Sequence, residues 1–215
     1  MSRGSDGPRM LRRPSRKGYM GPLAILSVQK AMTELQGADA AAKLLAEAKV
    51  GTLPEFDEPV REARVAALHH TVRAKLGSAA QEVLTRAGIL AADAVMDRRM
   101  SLRAQTLLMS SPWPVSAWLL GRSTAQNAWT FAGSGRFEVV NRLTFRVHDN
   151  PLIRKEHSDH ALCDYHRAFF TRFFSALVHD QLTCTEVCCA AAGDPYCEFR
   201  FHRLEAADPP KVSAA

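Results

Sequence analysis

Apolar side chains recur every three or four residues along most of the first 130 positions, and this is the period of an amphipathic helix. Glycine and proline residues divide the segment into shorter runs. Ser78 followed by Gln81 predicts a capping box at the start of one run. The pattern predicts helices over residues 25–35, 39–48, 58–76, 78–96 and 112–129.

The period changes after residue 136. Apolar and polar side chains alternate from Phe137 to Val147, which is typical of one long half-buried strand or of a strand pair. A helix rich in aromatic residues is predicted over 162–178, and two further strands over 182–190 and 196–202. We therefore expect an α+β fold with a helical N-terminal half and an antiparallel sheet with packed helices.

Charge and composition set the domain limits. The formal net charge is +6, and residues 1–17 hold six Lys or Arg against one Asp. We predict a disordered basic tail over 1–19, a single domain over 20–204 and a disordered tail over 205–215. Within the domain, 20–130 is expected to be mainly helical and 136–204 to be the α+β part.

Two interpretations of the basic tail stay open: docking on an acidic partner or an anionic membrane surface, and a solvated tail without a partner. The rest of the chain is close to neutral, so nucleic-acid binding is not expected. The sequence contains no apolar run long enough to cross a membrane. The run from Pro22 to Val28 stops at Gln29 and is followed by no cleavage site, which argues against a signal peptide. A cytoplasmic protein is predicted, with peripheral membrane contact as a further option.

Five cysteines point to metal chemistry, because an odd number with four of them between residues 184 and 197 does not suit a secreted disulfide framework. Glu186, Cys189 and Cys197 are spaced across a predicted hairpin, and Cys163 precedes the aromatic helix. Three thiolates and a carboxylate suit a tetrahedral zinc ion. Four protein ligands leave no position for a substrate, which indicates a structural site.

The residues alone leave alternatives to this ligand set. Ordinary buried thiols are one, because free cysteine packs as a small hydrophobe. The histidines His166, His179 and His202 are alternative ligands near the cluster. Cys184 and Cys188 are expected to be core or spare thiols.

The stretch from His148 to Phe201 resembles the 4-vinyl reductase (4VR) domain family. The resemblance is carried by His148-Asp149-Asn150-Pro151, by Cys163 before its helix, and by the pattern C-x-E-x2-C-x-A-x-G-x3-C that begins at Cys184. In the zinc-binding domains of this family the metal is held by Cys, Glu, Cys and Cys in this order. The resemblance thus implies zinc as a structural cofactor and a zinc-braced C-terminal hairpin. The positions that match are Cys163, Glu186, Cys189 and Cys197.

The resemblance also implies a fold similar to subunits of the TRAPP vesicle-trafficking complex, and homodimers. Regulators of the family continue into an ATPase and a DNA-binding domain that this sequence lacks, so a regulator of transcription is not expected. The chain is similar instead to the stand-alone family members of bacteriochlorophyll biosynthesis. The family label implies a vinyl reductase, but the residues do not favour one. Gly133-Ser134-Gly135 lacks the third glycine of a dinucleotide motif, and the cysteine spacing does not match ferredoxin-type runs.

The function expected from the resemblance is binding of a tetrapyrrole intermediate, a Mg-porphyrin or protochlorophyllide, as a carrier or accessory factor. Its partners would be pathway enzymes such as Mg-chelatase or a methyltransferase. A 4-vinyl reductase and a small-molecule sensor or scaffold are the alternatives. A tetrapyrrole needs a large apolar pocket, and its expected lining is Trp113, Trp118, Trp129, Phe131, Phe137, Tyr165, His166, Phe169 and Phe170. Axial ligands for magnesium are sought among His69, His70, His148 and His166, and propionate partners among Arg122, Arg136 and Arg142.

Overall fold

The structure is a computed structural model that describes residue 14 and residues 17–204. The predicted basic tail over 1–19 lies outside the described residues except at 14 and 17–19, and the predicted tail over 205–215 lies wholly outside them. Tyr19 forms part of a strand, so the folded domain includes at least this residue of the predicted tail.

The N-terminal half is helical, as predicted. It contains β1 (Tyr19–Met20), α1 (Leu23–Gln36), α2 (Ala38–Glu47), β2 (Val60–Arg61), α3 (Glu62–Leu76), α4 (Ala80–Arg99), α5 (Leu102–Ser110), α6 (Trp113–Gln126) and α7 (Trp129–Ala132). Strand β2 pairs antiparallel with β1, so the helix predicted over 58–76 begins later, at Glu62. The predicted capping box is wrong. Ser78 lies in a 3-10 turn, and no side chain caps the start of α4.

The C-terminal half forms one antiparallel sheet with a helix packed on it. Its elements are β3 (Arg136–Asn141), β4 (Thr144–His148), α8 (Asp164–Leu177), β5 (Leu182–Cys188) and β6 (Cys197–Arg203). The strand order is β3-β4-β6-β5. The alternating segment is a strand pair, in which Phe137 lies opposite Val147. The α+β fold predicted from the sequence is confirmed.

Two apolar cores share helix α8. One lies among α1 to α4, and the other lies between the sheet, α6 and the inner face of α8. Gly88 of α4 lets the two helices approach closely, because a Cβ atom at this position would lie 2.3 Å from the Tyr165 carbonyl oxygen. The start of α8 is thereby fixed against the N-terminal half. Within the described residues, no helix is both long and apolar enough to cross a membrane.

Candidate metal centre and neighbouring cavity

The four residues predicted to bind metal are brought together by three elements of the C-terminal half. Cys163 immediately precedes α8, Glu186 lies on β5, Cys189 follows the end of β5, and Cys197 is the first residue of β6. Pairing of β5 with β6, with an irregularity between Glu186 and Cys188, aligns the hairpin residues. One donor atom from each of the four residues lies within 4.8 Å of the others.

The geometry of the cluster fits a tetrahedral ion. The sulfur atoms of Cys163 and Cys197 are 3.5 Å apart, close to the roughly 3.8 Å expected between thiolates that each bind zinc at about 2.3 Å. Oε2 of Glu186 accepts a hydrogen bond from the Cys163 backbone N–H at 2.9 Å. Oε1 of Glu186 is buried and has no hydrogen-bond partner. A bound cation would satisfy this oxygen, which otherwise carries a desolvation penalty.

The electrostatics of the cluster also favour a cation. Burial, reinforced by the charge of Cys189, raises the pKa of Glu186 to about 8. Burial likewise raises the pKa of Cys163 well above its ordinary value. The pKa of Cys189 is lowered, chiefly because the Cys163 thiol donates a hydrogen bond to its sulfur. Acidic groups packed so closely in a low-dielectric interior cannot all ionise without a positive charge between them.

The other sulfur and imidazole groups of this region lie outside the cluster of the described residues. Cys184 is buried in the core, and Cys188 is half-buried. His179 lies beside Asp180 at the end of α8, and His202 is exposed on β6. His166 is buried, but its Nδ1 atom faces an asparagine.

Asn150 is a functional residue that the sequence reasoning missed. It is 2% exposed, and its side-chain amide donates towards the sulfur of Cys163 at 3.4 Å and lies 3.9 Å from that of Cys197. The same nitrogen is 3.4 Å from Nδ1 of His166, and Oδ1 accepts from the backbone N–H of Leu152. The only signal in the sequence was the Asp149-Asn150-Pro151 run after a strand. Asn150 positions the two sulfurs as an outer partner of the metal ligands.

Asn150→Asp is expected to weaken metal affinity by about 10- to 100-fold, because outer partners of metal ligands have effects of this size. The substitution keeps the shape but replaces a donor with a carboxylate beside two sulfurs. Competition with a chromophoric chelator measures the affinity. Asn141→Asp makes the same chemical change at an exposed turn, where Oδ1 accepts from the backbone of Leu143, and should leave affinity unchanged. Equal affinity of Asn150→Asp and the unchanged protein would contradict the positioning role.

A small apolar cavity of about 180 Å³ lies between α4, α6, α7 and α8. Two of the nine predicted pocket residues, Phe131 and Phe169, line it. His166 lies behind this wall, with Nε2 at 3.3 Å from the Phe131 carbonyl oxygen. The lining is Val95, Arg99, Met100, Ser123, Thr124, Gln126, Asn127, Thr130, Phe131, Phe169 and Phe173.

The structure does not gather the other predicted pocket residues around this cavity. Trp118 is exposed, whereas Trp113 is covered by the guanidinium groups of Arg142 and Arg203. Trp129 is buried near the start of the described chain. Three further residues belong to the cores, namely Phe137, Phe170 and Tyr165.

The histidines and arginines proposed to contact a tetrapyrrole are also dispersed. None of the four histidines is among the residues that line the cavity. Of the arginines, Arg122 directly precedes the lining residue Ser123. The remaining contacts are His69 with the carbonyl of Ala24, His70 with Glu156, His148 with Glu138, Arg136 with Glu138, and Arg142 with the ring of Trp113.

Solved structures resemble this fold. An H-NOX protein from S. oneidensis in the Fe(II)NO ligation state superposes with a TM-score of 0.55 at 11% identity, covering 86% of this chain and 100% of that chain. An H-NOX protein from K. algicida gives a TM-score of 0.56 at 10% identity, covering 86% and 97%. At these identities the likeness establishes the fold alone.

Sequence comparison identifies closer relatives. Residues 143–203 match the model of the 4-vinyl reductase (4VR) domain. The chain is 35% identical to the bacteriochlorophyll synthase 23 kDa chain of Cereibacter sphaeroides, over 84% of this chain and 88% of that protein. It is 32% identical to the chain of the same name from Rhodobacter capsulatus, over 85% and 86%. The resemblance predicted from the sequence is thus confirmed, and the chain belongs to the 4VR-domain family that includes the bacteriochlorophyll synthase 23 kDa chains.

Proposed function

We propose that this protein serves bacteriochlorophyll biosynthesis by binding a tetrapyrrole intermediate and presenting it to pathway enzymes. The place in the pathway is supported by the 35% identity to a bacteriochlorophyll synthase chain. The observation that carries the binding function is the apolar cavity with a polar rim between α4, α6, α7 and α8. The enzymes served are of the kind that insert magnesium into a porphyrin or methylate it, such as Mg-chelatase or a methyltransferase.

The chemistry of the cavity suits one edge of a conjugated macrocycle. The rings of Phe131 and Phe169 stack with centroids 6.4 Å apart, and apolar side chains of α4 complete the wall. Flat aromatic walls pack well against a conjugated ring. Arg99 lies at the rim and is oriented by Asp57 at 3.1 Å. A guanidinium in this position can pair with a carboxylate substituent of the ligand.

The size of the cavity defines how much of the ligand it admits. A volume of about 180 Å³ is below the roughly 300–1,000 Å³ that is usual for small-molecule pockets. The cavity therefore takes a substituted pyrrole ring, and deeper entry requires the neighbouring helices to separate. Helix α5, which follows the lining residue Met100, buries only Leu108 among its nine residues. Displacing it exposes little apolar surface and costs little free energy.

The metal in this proposal is a structural zinc ion. Its ligands are Cys163, Glu186, Cys189 and Cys197, whose soft sulfur atoms favour zinc over magnesium or calcium. When bound, zinc supplies a fixed charge that joins the start of α8 to the β5–β6 hairpin. With four protein donors, the ion has no position for a substrate. We place the protein in the cytoplasm, and a homodimer is part of the proposal by resemblance to the family.

Adding a divinyl Mg-tetrapyrrole to the purified protein is expected to give a red-shifted absorption spectrum and no monovinyl product, with or without NADPH. Val95→Phe fills the cavity from α4 and should weaken binding by about tenfold or more, because overpacking excludes the ligand. Val187→Phe adds the same ring at an exposed position on β5 and should bind as the unchanged protein does.

Two results would contradict the carrier. Turnover to the monovinyl product with NADPH would establish the reductase instead. A Val95→Phe variant with unaltered affinity would show that the ligand binds away from this cavity.

A further inference from the structure

Helix α5 turns apolar side chains outward. Leu102 is 80% exposed, Leu107 59% and Met109 66%, whereas Leu108 is the helix's only buried residue. A surface helix of a soluble protein normally directs its apolar stripe at the core. The outer face of α5 therefore lacks a partner within the described residues.

Helix α6 extends this apolar surface. Val115 and Trp118 are exposed and lie one turn apart, with Arg122 a further turn along. The two helices are held together where the Ser116 hydroxyl donates to the Leu108 carbonyl at 2.7 Å. Contiguous exposed apolar side chains of this kind mark interaction sites. We name the set the α5–α6 surface; it consists of Leu102, Leu107, Met109, Val115 and Trp118.

The charge around the α5–α6 surface has one sign. Residues 98–137 contain five arginines and no aspartate or glutamate. Arg103 on α5 and Arg122 on α6 are exposed. The guanidinium groups of Arg142 and Arg203 lie 5.6 Å and 5.5 Å from the ring of Trp113, at the start of α6. The surface thus combines apolar side chains with surrounding cations.

We propose that the α5–α6 surface docks the protein on an anionic lipid membrane. Phospholipid headgroups offer phosphate to the arginines, and the boundary with the acyl chains accepts the leucine, methionine and tryptophan side chains. Six further Lys or Arg within residues 1–17 add to the attraction. A second copy of the chain suits this face poorly, because a two-fold interface would place Arg103 and Arg122 of both copies against one another.

Docking in this way has a consequence for the cavity, although it does not depend on the cavity's ligand. Arg99 and Met100 line the cavity, and Leu102 follows them closely in the chain. The entrance at the end of α4 would lie beside the lipid. An apolar molecule could then pass between membrane and protein with little contact with water.

The full chain should bind vesicles of phosphatidylcholine with about one-third phosphatidylglycerol. Binding to phosphatidylcholine alone, or at high salt, should be about tenfold weaker or more, since the attraction of cations to anionic lipid is screened. Trp118 should shift its emission to the blue on the mixed vesicles, and Trp118→Phe should remove the shift. The double variant L107S/M109S should lower the vesicle partition coefficient by about tenfold or more. Leu35→Ser and Val187→Ser remove exposed apolar side chains elsewhere and should bind as the unchanged protein does.

Three results overturn the proposal. Undiminished vesicle binding by L107S/M109S would assign binding to other charges of the chain. Absence of a blue shift in the unchanged protein on mixed vesicles would show that Trp118 does not enter the lipid. A dimer that L107S/M109S converts to a monomer, without vesicle binding by either, would make this face a contact between copies.

Discussion

Cys197→Ser is expected to reduce bound zinc from about one equivalent per chain to well under half, and to lower the free energy of unfolding by more than about 4 kcal/mol, as loss of a structural metal does. Cys197 begins β6, is fully buried, and lies 3.5 Å from the sulfur of Cys163. Its loss leaves three donors and a hydroxyl that zinc binds poorly. Elemental analysis gives the metal content, and urea unfolding gives the stability.

Cys188→Ser is the matched control. Cys188 precedes the ligand Cys189, is half-buried and lies outside the cluster, so its replacement should keep the zinc and most of the stability. Less than half an equivalent of zinc in the unchanged protein would count against the metal itself. A Cys197→Ser variant that kept both its zinc and its melting temperature would count against the ligand set.

The metal centre and the cavity are joined by a chain of polar contacts. Asn150 donates towards the Cys163 sulfur and contacts His166, whose other ring nitrogen lies 3.3 Å from the Phe131 carbonyl oxygen. Phe131 forms part of the cavity wall. A metal that fixes the cysteine sulfurs therefore also fixes one side of the proposed ligand site. Under the proposed function, a zinc-free variant that remains folded should bind tetrapyrrole more weakly.

Local patterns were sufficient for most elements, because helices and strands with one buried face carry a clear hydrophobic period. Helix α5 was missed for a physical reason: its apolar residues point outward and give no core-facing stripe. Strand β2 was missed because two residues carry no period, and its pairing with β1 depends on a distant segment. The alternation over 137–147 identified strands but left their number open, and the pairing of Phe137 with Val147 resolves it.

The cluster of potential ligands was accessible to sequence reasoning because three of its members lie on one hairpin, where spacing approximates distance. Cys163 lies 34 positions from Cys197, and the family resemblance, not spacing, supplied it. Asn150 could not be found this way, since its role depends on where a loop passes. The cavity lining was no more accessible. Phe169 and Phe170 are neighbours in α8, yet Phe169 lines the cavity whereas Phe170 is fully buried in the core.

Gly88→Ala is expected to lower the free energy of unfolding by about 2 kcal/mol or more. The added Cβ would lie 2.3 Å from the Tyr165 carbonyl oxygen and 2.9 Å from the Phe169 backbone nitrogen. Backbone atoms cannot move aside unless α8 moves as a whole. Overpacking of this kind costs typically about 1–3 kcal/mol and occasionally more, which outweighs the roughly 1 kcal/mol that alanine gains over glycine within a helix. Urea unfolding measures the difference.

Gly121→Ala is the matched control, because this glycine also lies within a helix but has room. A Cβ at Gly121 would meet the ring of Phe145 at 3.5 Å, an ordinary van der Waals distance, so the variant should be as stable as the unchanged protein or slightly more stable. Equal stability of Gly88→Ala and Gly121→Ala would contradict a tight contact between α4 and α8. Because α8 begins beside Cys163 and carries Phe169, a shift of this helix in Gly88→Ala should also weaken tetrapyrrole binding, which a purely local clash would leave intact.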